Sequence, residues 1–185
     1  MNSRSKRHIS KQKKINPRYW VFCEGETEEA FVYYLRSKFR ISIEIVPKIA
    51  GNRITQKFIA NYKKGKPVHE KDIDFLLYDA DEQNTLSRLK ELDAILLLSN
   101  PCIELWFLLH YKNQTACLSS QDCLRELKNR NGSYFKGIID SKLKEKLDNK
   151  ITDACRRAKK LESTQNPSSN IFEFIELLKA IKTSR

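Results

Sequence analysis

Tyr19-Trp20-Val21-Phe22-Cys23-Glu24-Gly25-Glu26-Thr27-Glu28 joins two unlike patterns in one short stretch. Its first half is an unbroken apolar run of aromatic and β-branched side chains, which predicts a strand buried on both faces. Its second half is acidic, and Ala30, Phe31, Tyr34 and Leu35 then recur at helical spacing. Glu26, Glu28 and Glu29 crowd the first turn of that helix, where carboxylates complement the positive end of the backbone dipole. A buried strand running directly into a helix is the start of an α/β unit, and it sets the expectation for the rest of the chain.

Working outward, the pattern repeats. Residues 41–46 read as a second strand stopped by Pro47, and Phe58, Ile59 and Tyr62 mark a short helix that Lys63-Lys64-Gly65-Lys66-Pro67 breaks. Residues 73–78 form a third apolar run, followed by the acidic turn Asp79-Ala80-Asp81-Glu82 and a helix with Leu86, Leu89 and Leu92 inward. Residues 94–98 make a fourth strand. Ser99-Asn100-Pro101 then predicts a helix start, with Asn capping the free amides and Pro at the first helical position. Strands of this kind alternating with helices predict a Rossmann-like α/β fold with a parallel four-strand central sheet.

Beyond Tyr111 the strand signals fade, and helices are expected over residues 120–129, 141–161 and 170–182. The last opens with Asn170 and Glu173 in a capping-box-like pair, and Asn166-Pro167-Ser168-Ser169 reads as the turn before it. The expected organisation is a mobile basic arm over residues 1–18, an α/β domain over 19–112, and a helical extension over 113–185 packed on it.

The chain holds 35 Lys and Arg against 23 Asp and Glu, a formal net charge of +12. Such a field attracts polyanions, so nucleic acid is the expected partner. No apolar run approaches the ~20 residues that cross a bilayer, and no secretory signal is evident, so a cytoplasmic location is expected. The five cysteines are scattered without a CxxC spacing, which argues for free thiols over disulfides or structural zinc. His8, His69 and His110 are too dispersed to suggest a zinc cluster.

In parallel sheets the working groups collect at the carboxyl ends of the strands. The first strand ends in Glu24-Gly25 and the third in Asp79-Ala80-Asp81, so the two acidic blocks fall on one edge of the sheet. Carboxylates gathered there repel one another unless a cation joins them or their pKa values rise. A hard divalent cation such as Mg²⁺ or Mn²⁺, held by Glu24, Asp79 and Asp81, is the simplest answer. Gly25 is expected to allow the sharp turn into the helix and to leave room for a ligand beside the backbone. Glu104 stands among Ile103, Leu105, Trp106 and Phe107, where a buried charge would need a partner or a metal; it either faces solvent or caps its own helix, or joins the candidate set as a catalytic residue and metal ligand.

The blocks Val21-Phe22-Cys23-Glu24-Gly25-Glu26-Thr27-Glu28, Tyr78-Asp79-Ala80-Asp81 and Ser99-Asn100-Pro101-Cys102-Ile103-Glu104-Leu105-Trp106 through His110 resemble those of the RloB-like family of Toprim proteins. The resemblance implies a Toprim domain in a prokaryotic anti-phage defence protein, with a metal-dependent nuclease activity on tRNA, other RNA or DNA. It implies Glu24 as general base or metal ligand and Asp79 and Asp81 as metal ligands. Some Toprim nucleases also use a lysine, for which Lys48, Lys57 and Arg53 are basic candidates that no spacing separates. An ATPase subunit and a second copy of the chain are further candidate partners. The alternative is a non-catalytic nucleic-acid-binding or regulatory subunit; the small size and the apolar helix over residues 105–109 would fit a protein that needs a partner.

Overall fold

The structure, a computed structural model, describes residues 16–49, 53–163 and 165–184. Most of the basic arm expected over residues 1–18 lies outside the described residues. Where description begins, the Arg18 amide donates to Asp72 Oδ1 (2.7 Å) and its guanidinium stands 3.6 Å from Glu44.

The chain runs β1 (Tyr19–Cys23), α1 (Glu26–Phe39), β2 (Ile43–Val46), α2 (Gln56–Lys63), β3 (Ile73–Asp79), α3 (Gln83–Leu89), β4 (Ile95–Asn100), α4 (Ile103–Leu108), α5 (Ser120–Arg130), α6 (Ser141–Asn149), α7 (Ile151–Ala158), β5 (Ser168–Ser169) and α8 (Ile171–Thr183). The sheet order is β2-β1-β3-β4-β5, with β1 to β4 parallel and β5 antiparallel to β4. This is the doubly wound α/β arrangement expected from the alternation of strands and helices. Because the order reverses at β1, the connections leave in opposite directions from β1 and β3, opening a crevice at the carboxyl ends of those two strands.

Alternate side chains of β1 enter two cores. Tyr19, Val21 and Cys23 join α1 and the later helices on one face, while Trp20 and Phe22 join α2 and α3 on the other. Every residue of β1 is buried, as the unbroken apolar run requires. The first core is continuous across the chain: it takes in Leu143, Leu147, Phe174, Ile175 and Leu178 together with Phe75 and Leu97 of the sheet. Helices α5 to α8 therefore complete the face of the sheet that α1 and α4 begin to cover.

Three local expectations are corrected. The sheet has a fifth strand, because Ser168 and Ser169 pair with Asn100 and Ser99 where a turn was expected. The Asn170 side chain does not cap α8: its Oδ1 accepts the Leu98 amide (2.6 Å) and its Nδ2 donates to Leu96 O (2.8 Å), so it spends its bonds extending the edge of β4. The expected helix over residues 141–161 is two helices broken at Lys150, whose backbone leaves the helical region.

The helix after β4 also begins later than expected. Asn100 is still in the strand, and α4 opens at Ile103 with Cys102 at the N-cap and no capping side chain of its own. The Ile103 amide is instead taken by Asp79 from β3 (2.9 Å), so a residue of the candidate site does the work expected of Asn100. Helix α4 is buried along its whole length, and Leu105, Trp106, Phe107, Leu108 and Leu109 are inaccessible. It belongs to the core and offers no docking surface. Among the described residues no helix is long and apolar enough to cross a membrane.

Candidate functional site

The β1–β3 crevice holds the acidic cluster. The Glu24 amide continues the ladder to Leu77 O (3.2 Å), and its Oε2 accepts the Asp79 amide (3.0 Å), so the strand ends are locked to each other by one of the candidate carboxylates. Asp79 points towards α4 and accepts the Ile103 amide. Glu104, on the first turn of α4, is fully buried and accepts the Tyr134 hydroxyl at 2.9 Å. Together with Gly25, Glu26, Thr27 and Glu28 of the β1–α1 junction and Lys136, the carboxyl groups of Glu24, Asp79 and Glu104 line a cavity of about 290 Å³.

Glu28 is the member that sequence reasoning missed. Its place in the first turn of α1 was accounted for by the helix dipole, yet the side chain is buried and opens on the cavity. Gly25 explains its position. A Cβ at Gly25 would come within 2.9 Å of Glu28 Oε2, so the glycine leaves space for this carboxyl. The backbone there is extended, with φ −136°, and asks for no glycine on conformational grounds. The expectation that Gly25 serves the turn is corrected: it serves the close approach.

The electrostatics follow from burying acids together. Burial pushes Asp79 up to about 10, with the charges of Glu28, Glu24 and Glu104 adding to it. Glu28 is raised to about 7, first by burial and then by Glu104 and Glu24, against the lowering effect of its own and the Gly25 amides. Burial also raises Glu24, and the charges of Asp81 and Glu82 reinforce it while the Asp79 amide opposes. The Tyr134 hydroxyl is raised by burial and by Glu104. Five acids line the cavity, of which Glu26 is paired with Lys48; facing the other four, the lining among the described residues supplies Lys136, whose Nζ stands 3.8 Å from Glu104 Oε1 and which is 60% exposed.

Asp81 lies apart from the others: it is exposed on the β3–α3 connection and does not line the cavity, though its charge is felt at Glu24. The basic candidates named from sequence stand elsewhere. Lys48 pairs with exposed Glu26 at 2.7 Å, and neither Lys57 nor Arg53 lines the cavity. Lys136 reaches the cavity from the α5–α6 connection, a segment that carried no motif. His110 is buried, bonds through Nδ1 to Trp106 O (2.9 Å), and is held down to about 4 chiefly by burial.

The donor set suits a hard cation. All four groups offer oxygen, and they are crowded enough to hold protons that a cation would displace. Among the described residues no three His, Cys, Asp or Glu form a ready-made cation site. Mg²⁺ needs only one or two protein carboxylates when water and substrate phosphate complete its shell.

No curated protein matches the chain. Among solved structures it is similar to the C-terminal region of the Burkholderia pseudomallei OLD protein, at 14% identity and a TM-score of 0.38, over 91% of this chain and 100% of that one. The family described as RloB-like protein matches residues 19–178, from the first residue of β1 into α8. The blocks at Glu24, Asp79 and Glu104, together with the loop that brings Lys136, fall within that span, and the chain belongs to the RloB-like family.

Proposed function

We propose that the chain is a Mg²⁺- or Mn²⁺-dependent nuclease of prokaryotic defence that hydrolyses phosphodiester bonds at the β1–β3 crevice. The observation that carries this reading is the cavity in which Glu24, Glu28, Asp79 and Glu104, besides the Lys48-paired Glu26, face Lys136, in a chain of net charge +12. Burial and the neighbouring carboxylates raise Asp79 and Glu28, and a cation entering the cavity would relieve that repulsion. The Toprim resemblance supplies the same chemistry from an independent direction.

One or two of Glu24, Asp79 and Glu104 would hold the cation, with water and substrate phosphate completing its shell and Asp81 acting from the β3–α3 connection through its charge. When bound, the cation supplies a lowered pKa for attacking water and neutralises charge building on the phosphate. The chain's own residues do the rest. Asp79 is fixed by the Ile103 amide and Glu104 by Tyr134, so both carboxyl groups are oriented before substrate arrives. Glu28, at about 7, is the group best matched to accept a proton from water near neutral pH. Lys136 is placed to meet a phosphate oxygen at the cavity mouth. RNA, including tRNA, and DNA are the candidate substrates, and an ATPase subunit and a second copy of the chain are candidate partners.

The test is cleavage of labelled tRNA, single-stranded DNA and duplex DNA in Mg²⁺, Mn²⁺ and EDTA, with wild type beside Asp79→Asn. Cleavage that needs the metal and is lost in the variant supports the assignment. Equal cleavage by both proteins removes it. Binding that EDTA leaves unchanged, with no cleavage alone or with an ATPase subunit, would make the chain a binding subunit.

A further inference from the structure

The connection between α5 and α6, residues 131–140, is fastened at several points. Asn131 Nδ2 donates to both carboxyl oxygens of Asp140 (3.1 Å each), and Ser133 Oγ donates to Asp140 Oδ2 (2.8 Å). Tyr134 is buried and bonded to Glu104, and the Gly137 amide donates to Thr27 Oγ1 on α1 (3.1 Å). Gly137 has φ +77°, and a Cβ there would meet Glu26 Cβ at 3.1 Å, so this glycine lets the loop lie directly against the β1–α1 junction. A segment pinned to two elements of the acidic site nonetheless holds Phe135 67% exposed.

Phe135 stands between Tyr134, which is 3% exposed and holds a site carboxylate, and Lys136, which lines the cavity. Phe135 and, on the same fastened loop, Ile138 (53% exposed) keep apolar surface in water at the edge of the acidic site. Exposed Lys136, which lines the cavity, follows it directly, and an aromatic side chain next to a cation fits a chain of stacked bases joined by phosphates. The face of a base is free to meet such a ring only when the nucleotide is unpaired or turned out of a duplex.

We infer that Phe135 is a substrate-binding residue on which an unpaired nucleobase next to the reacting phosphate stacks, so that the strand delivered to the carboxylates is single-stranded at that point. This rests on the proposed nuclease reading for the position of the phosphate, but the stacking contact itself requires no cleavage.

The two can therefore be separated by measuring binding in EDTA. Fluorescence anisotropy with labelled single-stranded RNA and DNA of about 16 nucleotides, and with the matching duplex, would compare wild type, Phe135→Ala, Phe135→Leu and Phe135→Trp. Val68→Ala, at another exposed apolar position (58%), serves as the control. Loss of one stacked base is expected to weaken single-strand binding roughly 5- to 100-fold in the Ala and Leu variants. The Trp and Val68 variants should bind like wild type, and duplex affinity should not change. In Mg²⁺ or Mn²⁺ the Leu variant should raise KM with kcat preserved. Wild-type affinity in Phe135→Leu, equal weakening for single strand and duplex, or failure of the wild-type protein to bind single strands would each overturn the inference. If the binding pattern appears and no condition gives cleavage, stacking stands and the nuclease reading falls. If cleavage depends on Asp79 while Phe135→Leu behaves as wild type, the reverse holds. RNA and DNA arms show which sugar the site accepts.

Discussion

Asp148 on α6 and Asp79 at the end of β3 are the same residue type in opposite situations. Asp148 accepts from Lys38, from Lys144 (2.7 Å) and from Tyr34 (2.9 Å), and despite some desolvation these donors hold it down at about 2. Asp79 accepts a backbone amide, has no cationic partner among the described residues, and is driven up to about 10. At the α1–α6 contact, charge is spent on holding helices together. At the sheet edge, four acids are kept together at a cost to stability, which a fold tolerates only where the arrangement serves something else.

The largest expected effect tests that contrast directly. For Asp79 the folded pKa of about 10 lies above its ordinary 3.8. The contribution to stability that is fully present below pH 3.8 is thus lost progressively as pH rises towards 10. At neutral pH without metal, Asp79→Asn should relieve part of this while keeping an oxygen for the Ile103 amide, and the melting temperature should rise by about 2–4 °C for each kcal/mol relieved. The same variant should lose on the order of 10²-fold or more in cleavage. A variant that is both less stable and inactive would place Asp79 with Asp148, as a structural acid.

Metal binding should obey the same logic. Glu28 is raised to about 7 and Asp79 to about 10, so a cation entering the cavity displaces protons. Mn²⁺ should raise the melting temperature of wild type, with an apparent affinity that climbs roughly tenfold per pH unit for each proton released, most steeply below pH 7. Asp79→Asn should show little of this shift. Gly25→Ala should lower the affinity too, because the added methyl occupies the space of the Glu28 carboxyl.

A smaller effect is expected at Tyr134. Tyr134→Phe leaves Glu104 buried without its hydroxyl donor, and should cost about 1–3 kcal/mol in chemical denaturation. Added Mn²⁺ should narrow the gap to wild type if Glu104 is a ligand. An undiminished gap would confine Glu104 to the structural half of the comparison.

How much of the fold and site is legible in the sequence depends on how local each rule is. Strand β1 and the placement of Glu24 and Asp79 on one edge could be read because burial pattern and strand polarity are properties of short segments. Glu28 was hidden by an adequate local account, since a glutamate in a first helical turn needs no further reason until the Gly25 gap is seen. Lys136 was invisible because it reaches the site through a loop whose anchors, Thr27 and Glu104, lie far away in the chain. Strand β5 was lost for a similar reason: two serines carry no strand signal, and only the Asn170 side chain bonding along β4 gives them a partner. The late start of α4 shows the opposite failure, in which a strong local signal at Asn100-Pro101 was overridden by a carboxylate arriving from another strand.

Asp148 supplies the last and smallest effect, and the one that fixes the baseline. Its folded pKa of about 2 lies below the ordinary 3.8, so its stabilisation is present above pH 3.8 and is lost as pH falls towards 2. The side chain is 32% exposed, and solvent screening keeps the expected loss in Asp148→Asn to about 1 kcal/mol at pH 7. Salt should diminish that loss, since the pairs with Lys38 and Lys144 are partly in water. Denaturation of the variant at pH 7 and again near pH 3 should show the difference from wild type shrinking in acid. Asp79→Asn should show the reverse, its advantage over wild type growing as pH rises. Opposite pH slopes in two Asp→Asn variants of one chain would separate an acid that holds the fold from one that the fold holds in readiness, and parallel slopes would erase the distinction.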